Sequence, residues 1–224
     1  MRLLGSFVAV AVAALISLTP AADARAVTGA RAGATVTVMQ VRDSSISGQF
    51  ICTNDPPGIT SAVQVISDTS IVRAEGGTTP FTSLGVFRYD GTNILFDASG
   101  LSFDIGPTVT GLSRGSVEGT LPVEIVSQGG GGALARFQFT FTADRTQPTI
   151  DGPFVSNVVY PDGTRIVSRL MGQTRPATAT GSVTVFDPGT GQVVFTCPLL
   201  RSNSTPDAPT AIQFVREGTI TITK

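Results

Sequence analysis

Apolar and polar residues alternate one by one along most of this chain. In "ARFQFTFTAD", Phe137, Phe139 and Phe141 fall on one face, and Arg136, Gln138, Thr140 and Thr142 fall on the other. "SVEGTLPVEI" repeats the pattern, with Val117, Leu121, Val123 and Ile125 facing in and Glu118, Thr120, Pro122 and Glu124 facing out. Strict period-two alternation marks a strand of a half-buried antiparallel sheet. Pro122 has no N–H for a ladder, which predicts an edge or a bulge at that point. Beyond the first 26 residues no stretch carries a 3.6-residue apolar repeat, so the pattern predicts strands throughout.

Turn chemistry divides these runs. Asp90-Gly91 and Asp162-Gly163 are strong hairpin signals, "FDPGTGQ" joins two further alternating runs, and Gly129 to Gly132 form a flexible connection. The stretch "SRLMGQTRPATATGSVTVF", residues 168–186, reads as a strand, a bend over Gly172–Pro176 and a second strand. Residues 201–210 read as an open loop before a last strand at about 211–223. On the order of ten strands at this spacing predict an all-β fold, an antiparallel two-sheet β-sandwich, with a closed β-barrel as the alternative.

The chain begins differently. Arg2, the apolar run "LLGSFVAVAVAALISL" and the small-residue sites in "AADARA" form the pattern of a secretory signal peptide over residues 1–26. That leaves 27–224 as a single all-β domain, expected outside the cytoplasm, extracellular or periplasmic, with no membrane span in the mature chain. An outer-membrane barrel would need aromatic girdles, and the chain has no Trp and two Tyr.

An exported location changes what the two cysteines mean. Cys52 and Cys197 are 145 positions apart, in the similar settings "GQFICTN" and "GQVVFTC". Phe50 and Phe195 each precede a Cys by two residues and share its face. A disulfide is expected here, joining an early strand to a late one. A redox or metal-binding pair is disfavoured, because no CxxC spacing and no His accompany them.

Composition narrows the chemistry further. Charged residues make up 14% of the chain and the formal net charge is −1, so nothing draws it to nucleic acid. The absence of His removes the commonest general base and metal ligand. Carboxylate chemistry remains. Glu118 and Glu124 lie six residues apart on one strand, about 20 Å, too far for a glycosidase pair at roughly 5–9.5 Å. Asp97 and Asp104 flank "DASGLSFD" and form a weak candidate acid pair if the chain brings them together. Asp90, Asp151, Asp162 and Asp187 sit in turns, where Asp bonds its own backbone, so no metal site and no cofactor are expected. The Thr-x-Thr runs at 35–37, 140–142, 178–180 and 219–221 read as wet strand faces, since they lack a regular repeat. Arg165 and Arg169 share a face about 13 Å apart, with Arg175 at the expected bend. Arginine is enriched at binding hot spots, and these three form the candidate contact patch.

At "VFRYDGTNILFDASG" and "GQTRPATATGSV" the chain resembles a group of secreted bacterial β-rich proteins. Thr180 stands where that pattern carries Ser. The resemblance implies a bacterial source and carries over no activity. The expectation for function is a secreted, non-catalytic domain with a binding or structural role at or near the cell envelope, where its partner would be a glycan or a protein. A carboxylate-dependent hydrolase acting on extracellular glycans and an assembly protein pairing through strand edges are the alternatives.

Overall fold

A computed structural model describes residues 36–72, 77–127, 130–159, 163–202 and 210–223. The expected signal peptide lies outside the described residues. The strands are β1 (Val36–Cys52), β2 (Thr60–Val72), β3 (Gly77–Tyr89), β4 (Ile94–Ser102), β5 (Thr108–Thr110), β6 (Arg114–Ile125), β7 (Gly131–Ala143), β8 (Ile150–Asp151), β9 (Phe154–Val159), β10 (Arg165–Phe186), β11 (Val193–Ser202) and β12 (Ala211–Thr223). The fold is all-β and every pairing is antiparallel.

One continuous sheet holds all twelve strands. It returns on itself in a ring of eight, β1-β12-β10-β7-β6-β4-β3-β2 and back to β1. The two walls expected of a sandwich are thus opposite stretches of a single sheet. Phe50 of β1 meets Phe139 and Phe141 of β7 across the interior, with ring centroids at 4.9 and 6.1 Å. Leu84, Val117, Leu121, Val183 and Val185 fill the space around them. The alternating sequence produces this directly, because each strand presents every second side chain to the inside.

β10 is the spine of the molecule. One flank pairs with β7, β8 and β9 in succession, and the other with β11 and then β12. β11 and β12 therefore run end to end in one lane between β10 and β1. The bend expected over 172–176 is absent, and the strand continues through it. Both residues that suggest a break serve the strand instead. Gly172 lies where the β10–β12 register shifts, and a Cβ there would meet the Phe214 carbonyl oxygen at 2.3 Å. Pro176 pairs with Ala211 at the start of β12, and its carbonyl accepts the Asp144 N–H beyond the end of β7. Residues 201 and 202, expected in an open loop, complete β11, while 203–209 lie outside the described residues.

Turn chemistry matches the sequence. Asp90-Gly91 turns β3 into β4, and Asp187 turns β10 into β11, its carboxylate accepting the N–H groups of Gly189 and Thr190. The β9–β10 hairpin forms as expected, although Asp162 itself lies outside the described residues. Pro122 sits on β6 between Arg114–Ser116, which pair with β5, and Glu124–Ile125, which pair with β4. On that side Pro122 has no strand partner, so its missing N–H breaks no ladder. β4 crosses β6 closely here, and Gly100 is required because a Cβ would lie 2.1 Å from the Pro122 carbonyl oxygen.

The sheet has two regimes. Along β10, Ala177, Ala179, Val183 and Val185 are buried inside the ring. Below the bulge the buried residues are Ile166 and Ser168, of the opposite parity, while Arg165, Arg169 and Met171 are exposed. In this half, β9-β10-β12-β1-β2-β3 flare into a sheet that buries what is the outer face higher up.

Candidate functional site

At the ring end of the molecule, Cys52 closes onto Cys197, with Cα atoms 5.7 Å apart. Phe50, Phe195 and Cys197 are buried and Cys52 is half-buried, so both Phe–Cys pairs enter one core as their shared parity predicts. Phe195 stacks on Phe96, with centroids 5.4 Å apart and planes 11° from parallel. Over the same Phe195 ring lies the guanidinium of Arg88, 4.7 Å from its centroid.

Arg88 carries the inward parity of Leu84 and Val86 to the rim of the ring, and there it meets the turn after β1. Its Nε donates to Ser61 Oγ at 2.9 Å. The Ser61 hydroxyl and N–H both donate to the Asp55 carboxylate, and Arg88 Nη2 lies 3.9 Å from Asp55 Oδ1. Asp55 is held in place by the turn in which Ile59 N–H donates to the Pro56 carbonyl, with Gly58 at φ 83°. A cation stacked on an aromatic ring and braced through Ser61 is fixed before any ligand arrives.

These groups border a cleft of about 500 Å³. Pro56, Ile59, Leu95, Pro198 and Cys52 supply apolar walls, and Arg88, Asp55, Asn54 and Thr196 supply polar edges. The volume lies in the range of small-molecule sites, which combine apolar lining with a few placed polar groups. Arg88 uses one of its five N–H donors on Ser61, and its side chain is 30% exposed.

The residues anticipated from sequence lie elsewhere. Arg165 and Arg169 do share an exposed face of the flared half, beside Val155 and Val159 of β9, and Arg165 Nε donates to Asn157 Oδ1 at 3.0 Å. Arg175 does not join them. It stands inside β10, six positions past Arg169 or about 20 Å along the strand, half-buried and with Nε unpartnered. Asp97 and Asp104 are also kept apart. "DASGLS" belongs to β4, and the five steps from Asp97 to Ser102 alone cover about 16 Å. Asp97 is half-buried, and its carboxyl is pushed above the ordinary value by desolvation.

The turn aspartates keep to their backbones. Two amides and the side chain of Asn93 hold Asp90 down at about 2, and hydrogen bonds from Thr146 and Thr190 lower Asp144 and Asp187. Asp151 accepts a bond from Gln173. Among the described residues, no three His, Cys, Asp or Glu side chains converge as a metal cluster would require.

Arg88 and Asp55 escape a reading of sequence alone, although one signal points to them. In "SLGVFRY" an arginine occupies a core-facing parity, which demands a partner at the rim. Comparison with protein-family models, curated proteins and solved structures finds no match.

Proposed function

We propose that this protein is a secreted, non-catalytic binding module at or near the cell envelope, and that the cleft beside Cys52–Cys197 receives its ligand. The observation that carries this reading is Arg88, stacked on Phe195 and braced by Ser61 and Asp55 at the edge of an apolar-walled cleft. Such a cleft suits a ligand with one apolar face and a rim of hydroxyl or carboxylate groups, the surface a glycan ring presents. Its apolar face packs on Ile59, Leu95 and Pro198, and its rim takes the remaining Arg88 donors. Among the described residues Asp55 is the one carboxylate lining the cleft, and Ser61 already engages it on both oxygens. Among those residues a carboxylate-pair hydrolase finds no second acid there.

The test is retention of neutral and uronic-acid-containing oligosaccharides, alongside envelope fractions, on immobilised protein. Arg88→Gln is expected to weaken binding about tenfold or more, the effect of roughly 1.4 kcal/mol. Retention of nothing by the wild type would count against the reading.

Assembly through strand edges is supported by a separate observation. β9 pairs with β10 alone among the described strands, and Val155 and Val159 are 63% and 65% exposed along it. Light scattering across concentration distinguishes the two, because edge pairing yields oligomers and the cleft does not.

A further inference from the structure

We propose that Asp43, Ser45, Asp68 and Ser70 form a binding site for a hard divalent cation on the flared half of the sheet. In the β1–β2 register Asp43 stands opposite Ser70 and Ser45 opposite Asp68. The four side chains therefore share one face as a square, with the carboxylates on one diagonal and the hydroxyls on the other. Diagonal neighbours of this kind lie about 7–8 Å apart at the backbone, close enough that the charge of Asp43 acts on Asp68. One ion with oxygen ligands at about 2.3–2.6 Å fits between two such carboxylates.

The state of these oxygens is what calls for an ion. Asp43 Oδ1 is buried and has no hydrogen-bond partner. Asp68 is also buried, and its Oδ1 accepts only a long bond of 3.5 Å from the Ser70 hydroxyl. Ser45 donates to Gln213 Oε1 at 3.4 Å, which leaves its own lone pairs available. Buried acceptors without donors are rare in folded proteins, and an acceptor-only pair is satisfied by a cation.

Among the described residues, the neighbours in register supply no counter-charge. From β12, Val215 stands opposite Asp43 and Gln213 opposite Ser45. From β3, Phe81 stands opposite Asp68 and Thr79 opposite Ser70. None of these is ionisable, and Arg216 and Glu217, which follow Val215, are exposed. Burial pushes Asp43 up to about 7, while burial and then the charge of Asp43 push Asp68 up to about 8. Two carboxylates balance one divalent ion, and the donors are all oxygen. This is the ligand set of calcium and, with retained water, of magnesium.

The test uses the full disulfide-bonded domain, stripped with chelator and then titrated separately with calcium chloride and magnesium chloride at pH 7.5. Calorimetry is expected to show one bound ion per chain. Thermal unfolding should rise by about 5–10 °C at a hundredfold excess over Kd. Asp43→Asn and Asp68→Asn, which keep the side-chain shape, should each abolish the shift, and Ser70→Ala should reduce it. A wild type that shows neither heat nor shift with either ion would overturn the proposal, leaving two carboxyls that share a proton. Full retention of the shift by Asp43→Asn would overturn it as well.

Discussion

The two halves of this sheet solve the same problem with opposite chemistry. The ring half buries aromatic and aliphatic side chains inside a closed circle of strands, and Phe50, Phe139 and Phe141 are wholly enclosed. The flared half turns over and buries the other face, where Asp68, Ser70, Ser168 and the Oδ1 of Asp43 are enclosed beside Phe81, Ile166 and Val215. β10 passes through both and switches its buried parity at the bulge. Closure is what separates them. A ring screens its interior with its own walls, and a flared sheet must satisfy a polar face in some other way. The ring half should respond little to divalent ions, while the flared half should answer to pH and to such ions.

The largest test of that contrast is Phe139→Ala. It removes a fully buried ring from contact with Phe50 and Phe137, and should cost about 3–5 kcal/mol in urea unfolding. Val159→Ala, on the exposed edge of the flared half, should stay within about 0.5 kcal/mol. Equal losses would erase the distinction.

A pH profile sharpens it next. In the metal-free protein Asp43 and Asp68 hold their protons to about 7 and 8, whereas the unfolded chain releases them near 3.8. The folded state thus binds more protons than the unfolded state between about pH 4 and 8. Their contribution is fully present below the unfolded value of 3.8 and is lost as the pH rises from there through the folded values. Chemical denaturation in chelator at pH 4.5, 6 and 8 should show falling stability, and Asp68→Asn should flatten the curve. A wild-type profile that rises across this window would contradict the assignment.

The smallest effect belongs to the exposed arginines. Arg169→Ala should change stability by less than about 0.5 kcal/mol, because its side chain lies on the uncovered face. A larger loss, measured by the same denaturation, would mean that something described as open is packed.

Much of the fold was legible in the sequence because period-two patterning and turn residues are local signals. Phe137, Phe139 and Phe141, the Asp90-Gly91 and Asp187 turns, and the Cys52–Cys197 pair all sit where the pattern puts them. Even the change of regime is written in β10, where Ile166 and Leu170 have one parity and Val183 and Val185 the other. The misread positions, Gly172 and Pro176, are ones where a breaking residue answers a non-local need: a bulge on β12 and the junction where β12 begins. The candidate cleft was illegible for the same reason. Asp55 meets Arg88 across the β2–β3 pairing, but Pro198 joins them only because β11 pairs with β1 far along the chain.

That closure also sets an order of events. The ring is completed by β12 pairing with β1, so among the described strands the one furthest along the chain must find the earliest. A chain synthesised from its N-terminus carries β1 with one flank bare along most of its length until β12 has emerged. Pairing at such separation is slow, since the chain entropy of the whole loop is spent before any contact forms. β12 contacts both β1 and β10 along most of its length, and its loss would open two seams at once. The thirteen residues of β12 therefore act as the zip of the molecule, and a chain without them is left with unpaired flanks on β1 and β10.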